Sequence, residues 1–245
     1  MLLAVCVAAP SAAAAGARWR ELIKIPGVVD LSAPLAGGRI VIDEKTGLAS
    51  MRPGRKPVRY APAYVSPGGD EPYMAMAPRP RRGRCSFGKG AVYVLRLVNP
   101  TGVTEIDRRG RVRQFANIPG PGFASGIAFD NVGSFRHRLL VTTTFGIASN
   151  LYAIDCHGHV STLAQNMPKV EGGMVVAPRS FSGRFGGRLI AVDEESGHLY
   201  AIPPGGGGEV ITSLPLPVGA TSARRPPPSY RAVSAAAGAR SWRTA

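Results

Sequence analysis

The chain has 245 residues, of which 44% are hydrophobic, and its 30 basic and 15 acidic residues give a formal net charge of +15. The length and apolar content suit one folded domain with a sizeable core, and the absence of long helical patterns excludes a helical bundle. The basic charge raises the question of nucleic-acid binding. However, the arginines are scattered through turns, and their densest run, at 79–84, lacks interleaved aromatic residues. We therefore expect no nucleic-acid partner.

Residues 1–17 are typical of a secretory signal peptide. The segment Leu2–Ala9 is an apolar core too short to span a bilayer, and Ala15–Ala17 has the A-x-A pattern of a cleavage site. The usual positive charge before the apolar core is missing, which leaves a lipid-anchored or uncleaved segment as the alternative. No later stretch is apolar enough to cross a membrane, so we expect an extracellular protein without a transmembrane segment.

The cysteines bear on the redox compartment. Cleavage of the signal peptide would remove Cys6 and leave Cys85 and Cys156, an even pair in an oxidising compartment. A disulfide between these two residues is one hypothesis, and two unrelated thiols are the other. No C-x-x-C motif and no Cys/His spacing typical of zinc occurs in the sequence.

An internal repeat is the strongest signal for the fold. The run Leu-Tyr-Ala-Ile begins at Leu151 and again at Leu199, 48 residues later, and a weaker copy begins at Val103, 48 residues earlier. Each repeat holds four short runs rich in β-branched and aromatic residues, bounded by Gly, Pro, Asp or Ser. A four-strand unit of this period predicts an all-β fold, a β-propeller built from four-stranded blades.

Four blades can be traced in chain order. Residues 18–36 are either a lead-in segment or a weak first strand, and they precede blades predicted at 37–66, 71–116, 123–164 and 171–214 within a propeller region of 37–216. We label the strands of each blade A to D, from the innermost outward. The Asp-x-x-Gly elements between strands C and D have the chemistry of tight turns, so we predict a structural role for these aspartates.

The strand pattern stops after residue 216. Residues 217–245 contain no acidic residue and many Ala, Ser, Pro and Arg residues, which is typical of a disordered tail. The alternative is out-of-frame translation of GC-rich DNA. Four blades are fewer than most propellers have, so we expect a truncated form of a ring that originally held about six blades.

The repeats resemble extracellular six-bladed propellers of the NHL and gluconolactonase-like type, which includes the senescence-marker-protein and luciferin-regenerating-enzyme group. The resemblance rests on Gly126–Asp130, on the Leu-Tyr-Ala-Ile runs and on Gly187–Ile190, and it covers residues 37–215. It implies either a calcium- or zinc-dependent lactonase or arylesterase, or a pure interaction module. In the enzymes Glu, Asn and Asp hold a metal over the central channel. The asparagine and the catalytic aspartate have no assignable match in this chain.

Acidic residues recur at equivalent positions in the repeats. The motif Glu-x-x-Met-x-x-Ala-Pro-Arg begins at Glu71 and again at Glu171, directly before strand A of two blades, so both glutamates should lie at the channel mouth. Ser125 occupies the corresponding region of the third blade. The loops between strands B and C on the same face carry acidic runs that begin at Asp43 and Asp193.

Clustered carboxylates repel one another, and a cation or a proton must relieve them. Oxygen-only ligands favour Ca²⁺, or another hard divalent cation, over zinc. We therefore predict Glu71, Glu171 and Asp193 as metal ligands, with Ser125 and Asp43 as further ligand-binding residues. The alternatives are that the glutamates pair with nearby arginines such as Arg79 and Arg179, and that the aspartates cap their turns.

These residues favour a secreted propeller that binds a small molecule or a protein through its acidic face. One alternative is a metal-dependent hydrolase of lactones or esters. Another is a structural cell-surface repeat module, which needs no site. The histidines lie in turns, and no Gly-x-Ser-x-Gly motif is present, so no catalytic residue is assigned.

Overall fold

The computed structural model describes residues 21, 23–44, 46–66, 71–79, 85–181 and 183–213. The predicted signal peptide and the predicted C-terminal tail lie outside these residues. The described residues form sixteen strands and two short 3₁₀ turns, Ala36–Gly38 and Gly183–Phe185, and they contain no α-helix. No helix in this part of the chain is long and apolar enough to cross a membrane.

The strands form four antiparallel sheets, in each of which four consecutive strands pair in chain order. Blade 1 consists of β1 (Val28–Leu31), β2 (Ile40–Glu44), β3 (Gly47–Met51) and β4 (Val58–Tyr60). Blade 2 consists of β5 (Met74–Met76), β6 (Val92–Arg96), β7 (Gly102–Ile106) and β8 (Val112–Asn117). Blade 3 consists of β9 (Phe123–Phe129), β10 (Leu139–Phe145), β11 (Ala148–Ile154) and β12 (Val160–Pro168). Blade 4 consists of β13 (Met174–Val176), β14 (Leu189–Asp193), β15 (His198–Ile202) and β16 (Glu209–Ser213).

This architecture confirms the predicted all-β propeller of four-stranded blades. Blade 1 begins earlier than residue 37, because β1 lies inside the segment 18–36. The sequence left two interpretations of that segment, a lead-in and a weak first strand, and the structure contains the strand. The Asp30 carboxylate on β1 accepts a hydrogen bond from the Met74 backbone N–H of blade 2, at 2.8 Å, and so ties the innermost strands of two blades together. A ring of six blades stays a prediction.

Successive blades pack face to face through three hydrophobic cores. Val41 and Tyr64 of blade 1 pack with Val92 of blade 2, and two further cores join blades 2 and 3 and blades 3 and 4. Neighbouring residues on β10 divide between two cores, because Leu139 contributes to the core with blade 2 and Leu140 to the core with blade 4. A strand buried on both faces needs apolar residues at every position, which explains the continuous apolar runs in the sequence.

The Asp-x-x-Gly turns have the structural role predicted for them. The Asp107 carboxylate accepts hydrogen bonds from the backbone N–H groups of Arg109, at 2.8 Å, and of Arg111, at 3.0 Å. Asp155 repeats the arrangement one blade later. Gly110 has a φ of 81°, a left-handed backbone conformation that glycine adopts without steric cost.

A disulfide joins Cys85 and Cys156, whose Cα atoms are 5.7 Å apart. It links the segment before β6 in blade 2 to the turn after β11 in blade 3, across 71 residues of sequence. A cross-link of this span restricts the unfolded chain and stabilises the fold by about 4 kcal/mol in the chain-entropy model. The bond therefore reinforces the packing between blades 2 and 3.

The Arg96 guanidinium is a buried hydrogen-bond hub in blade 2. The Arg96 side chain is 5% exposed and donates to the carbonyl oxygens of Val103, at 3.1 Å, and Ala116, at 2.9 Å. It fits there because Gly102 has no side chain: a Cβ at that position would overlap the Ala116 carbonyl oxygen and the Arg96 guanidinium.

We expect Gly102→Ala to lower the free energy of unfolding by about 2 kcal/mol or more, since overpacking here also breaks buried hydrogen bonds. Chemical denaturation measures this loss. Gly205→Ala is the matched control, because Gly205 is exposed and a Cβ there meets no atom within 4 Å. Equal stability of the two variants would contradict the account of Arg96.

Candidate functional site

The two repeated glutamates approach each other at the channel mouth. Glu71 lies just before β5 and Glu171 just before β13, and both are half-buried. Glu171 also forms an isolated bridge with Asp193, which joins the entry to blade 4 to the end of β14. Glu194 and Glu195 follow in the next turn. We call Glu71, Glu171, Asp193, Glu194 and Glu195 together the acidic mouth.

Glu194 is a carboxyl group of the acidic mouth whose pKa is raised by its neighbours. Loss of solvation within the protein, followed by the negative charges of Glu71 and Glu171, raises the pKa of Glu194 to about 7. The side chain nevertheless keeps access to solvent. Glu194 is therefore a reachable carboxylate that holds a proton close to neutral pH. The sequence placed Glu194 in the acidic run that begins at Asp193, but Glu194 was not predicted as a site residue. The run of three consecutive acidic residues is the signal that could have identified it.

Lys169 is the counter-ion of the acidic mouth within the described residues. Its ammonium lies 3.5 Å from the Glu171 carboxylate and also pairs with Glu195. Burial opposes the charge on Lys169, but the hydrogen bond to Glu195 and the charge of Glu171 outweigh it and raise the pKa of the lysine. The pKa of Glu171 is itself raised by burial, in spite of Lys169. One ammonium thus neutralises only part of the five carboxylates.

Neither repeated glutamate forms the ion pair with Arg79 or Arg179 that the sequence left as an alternative. In the part of the chain that the structure describes, both arginines are exposed and neither forms a salt bridge. Glu71 instead accepts a hydrogen bond from the Tyr73 hydroxyl, at 2.8 Å. Burial, that hydrogen bond and the charge of Glu194 raise the pKa of Tyr73, so it remains a neutral donor.

Asp193 has the role of a turn cap. Its carboxylate accepts hydrogen bonds from the Ser196 hydroxyl and from the Glu195 backbone N–H, the latter at 3.2 Å. Both oxygens are therefore engaged inside the loop. The geometry favours the capping alternative for Asp193 and makes it a residue that positions Glu194.

Ser125 does not face an open site. It is 1% exposed, and its hydroxyl contacts the Thr142 hydroxyl at 3.1 Å and donates to the Val170 carbonyl, also at 3.1 Å. The Thr144 hydroxyl donates to Ser125 at 2.8 Å. The prediction that Ser125 binds a ligand therefore does not fit its position: this hydroxyl network joins blade 3 to the segment that enters blade 4.

Asp43 belongs to blade 1, which contributes no residue to the acidic mouth. It is 0% exposed, and burial followed by the negative charges of Asp30 and Glu44 raises its pKa to about 8. Neither of its carboxylate oxygens has a hydrogen-bond partner among the described residues. The sequence placed Asp43 and Asp193 on one surface, whereas the structure buries Asp43 between blades 1 and 2.

The sequence matches no protein-family model and no curated protein. Among solved structures, the chain is similar to a catalytically inactive virginiamycin B lyase from Staphylococcus aureus with quinupristin, at 12% identity and a TM-score of 0.54, over 78% of this chain and 57% of that one. A streptogramin B lyase aligns at 11% identity and a TM-score of 0.53, over 79% and 57%. A proposed gluconolactonase aligns at 15% identity and a TM-score of 0.50, over 74% and 62%.

These similarities show the fold alone. All three solved structures are β-propeller proteins, and this chain spans only 57% to 62% of their length. Any site must therefore be argued from the residues of this chain.

We expect the Glu194 carboxyl to titrate with a midpoint of about 7, followed by its ¹³C chemical shift. Glu171→Gln should lower that midpoint, because a neighbouring negative charge is removed. The folded pKa lies above the ordinary value of 4.5, so this group stabilises the fold below pH 4.5 and the contribution is lost as the pH rises to about 7. Glu21→Gln, at an exposed position, is the control. A midpoint near 4.5 would contradict the geometry of the mouth.

Proposed function

We propose that the protein is a binding propeller whose acidic mouth binds a divalent cation, with Ca²⁺ as the preferred ion, through which a small molecule or a protein partner is recognised. The observation that carries the proposal is the convergence of Glu71, Glu171 and Glu194 from two blades, with mutual repulsion that one lysine offsets only in part. A bound cation removes that repulsion, and three carboxylates form the oxygen donor set that Ca²⁺ prefers.

The residues of the mouth divide into ligands and supports. Glu71, Glu171 and Glu194 would hold the cation, because their carboxylates retain acceptor capacity. Asp193 fixes the turn that carries Glu194. Lys169 pairs with Glu171 and Glu195, so a cation competes with its ammonium and binds more weakly than it would at a lysine-free site. This competition makes the affinity sensitive to the Lys169 charge.

We expect calorimetry of the full chain to show Ca²⁺ binding that weakens at least tenfold in Glu171→Gln and tightens in Lys169→Met. The first change removes a ligand, and the second removes the competing charge. Glu21→Gln should bind as the unaltered protein does. If Ca²⁺ releases no heat, or if Glu171→Gln binds it unchanged, the proposal fails.

A second candidate, a metal-dependent hydrolase of lactones or esters, is favoured by the pKa of Glu194. A carboxylate with a pKa of about 7 and access to solvent has the properties of a general base at neutral pH. The similar fold of the proposed gluconolactonase is compatible with this function. We further propose that the blades belong to a gluconolactonase-like, six-bladed ring of a secreted protein, supported by the repeat period and by the three interblade cores that the described residues of the four blades form.

If the hydrolase candidate is correct, a panel of lactones and aryl esters will be hydrolysed at a rate that rises with pH as the Glu194 carboxyl loses its proton, since the base acts when deprotonated. Glu194→Gln should lower kcat by two to four orders of magnitude, roughly the usual worth of a general base. A chelator should also abolish the activity. Activity that survives both changes would exclude the mouth as its source.

A further inference from the structure

A second group of polar atoms lies buried between blades 1 and 2. Within the described residues, five buried side-chain oxygens have no hydrogen-bond partner, and four of them belong to Asp43, Tyr64 and Ser66. Asp43 is 0% exposed and Tyr64 is 2% exposed. Burial, followed by the negative charge of Asp43, raises the pKa of the Tyr64 phenol. The neighbouring Ser66 hydroxyl has a smaller effect, which lowers that pKa. Val41 and Tyr64 belong to the core between blades 1 and 2, and Asp43 lies on the same face of β2 as Val41, so the unpartnered oxygens of Asp43 and Tyr64 lie between the same two blades.

Asp30 adds a second carboxylate at the same place. It lies directly opposite Asp43 in the pairing of β1 with β2, so the two side chains share a face of the sheet. One oxygen of Asp30 accepts the Met74 N–H from blade 2, and the other accepts the Leu31 N–H at 2.7 Å. Each of these oxygens keeps a second lone pair. The place is thus lined by oxygen atoms from blade 1 and from the segment that enters blade 2.

The other blades show that the fold does not require these unpartnered atoms. Thr144 of blade 3 occupies the position of Asp43, one residue before the end of strand B and opposite the second residue of strand C. The Thr144 hydroxyl lies within hydrogen-bond distance of the Ser125 hydroxyl, at 2.8 Å, and of the Val170 carbonyl oxygen, at 2.9 Å, so it is satisfied. Asp193 of blade 4 is satisfied by its own turn. Only blade 1, among the described residues, buries a carboxylate there without a donor.

An isolated buried carboxylate is costly unless it is paired, protonated or bound to a metal. The described charges that act on Asp43 are those of Asp30 and Glu44, and both are negative. No described lysine or arginine forms an ion pair with Asp43. Two carboxylates and two hydroxyls balance a divalent charge and supply hard oxygen ligands.

We propose that Asp43, Asp30, Tyr64 and Ser66 form a second cation site, buried between blades 1 and 2, which binds Ca²⁺ and joins the two blades. This site shares no residue with the acidic mouth and takes its ligands from blade 1 and from the segment that enters blade 2. Its role is structural: the ion replaces the hydrogen bonds that the hydroxyl network of Thr144 and Ser125 provides in blade 3. Water completes the coordination shell that the four side chains begin.

The test combines thermal denaturation and calorimetry on the full chain, first stripped with EDTA and then supplied with millimolar Ca²⁺. Ca²⁺ should raise the Tm of the unaltered protein by several degrees, as a ligand of the folded state does. Asp43→Asn should lose most of this rise and one binding site. Glu171→Gln should keep most of the rise and the buried binding site, which separates this site from the mouth. Ser66→Ala, a milder change, should weaken binding without preventing folding.

Three outcomes would overturn the proposal. In the first outcome, Ca²⁺ does not raise the Tm of the unaltered protein. In the second outcome, Ca²⁺ raises the Tm of Asp43→Asn as much as it raises that of the unaltered protein. In the third outcome Asp43→Asn is more stable than the unaltered protein in both EDTA and Ca²⁺, which would mean that Asp43 is a buried neutral acid. If Ca²⁺ binding is lost in Asp43→Asn but unchanged in Glu171→Gln, the buried site stands and the mouth proposal fails.

Discussion

Face-to-face packing of successive sheets is the constraint on which the rest of the structure depends. Leu139 and Leu140 contribute to different cores, so β10 is buried on both faces, and the blades on either side confine it. Chemistry must then lie at the ends of the strands, where loops emerge. The segments between blades and the turns between second and third strands share one end. The carboxylates of Glu71, Glu171 and Glu194 lie at that end because the packed faces of the blades leave no space for them.

Those carboxylates destabilise the fold that positions them. Burial and mutual repulsion hold the pKa of Glu194 at about 7, and Lys169 compensates only part of the charge. A surface selected only for stability would pair the glutamates with the many arginines of this basic chain. Retained repulsion at one exposed site favours a ligand that relieves it. The same reasoning applies to Asp43, which is buried between blades 1 and 2, so a cation bound there would stabilise the fold.

The repeat predicted the blade architecture because strand burial on both faces leaves a regular imprint of apolar runs and turn residues. It also placed Glu71 and Glu171 at equivalent blade positions, and the charges of both act on Glu194 in the structure. It left open whether residues 18–36 hold a weak first strand or a lead-in segment, because the four residues of β1 carry a weak pattern. Ser125 was misplaced because a serine at a blade entry is equally suited to a ligand and to a buried hydroxyl network, and only its neighbours decide between them.

Asp43 and Asp193 show why local sequence could not predict the site completely. Both precede a glutamate near the end of a second strand: Asp193 is the last residue of β14, and Asp43 is the last but one of β2. In blade 1 the pairing continues to Glu44 opposite Gly47, whereas in blade 4 it ends with Asp193 opposite His198. Both aspartates are buried, but Asp193 is capped by its own turn, whereas Asp43, one pair before the end of its strand, has no donor among the described residues. Such a difference in turn geometry follows from the packing of neighbouring blades, which a single repeat does not encode.

The central claim is that the acidic mouth is a cation site assembled from two blades. A crystal structure of the full chain grown in Ca²⁺, with anomalous diffraction data, tests it most directly. The account predicts an anomalous peak bounded by the carboxylates of Glu71, Glu171 and Glu194. A map with no peak there, and with Lys169 still paired to Glu171, would contradict it.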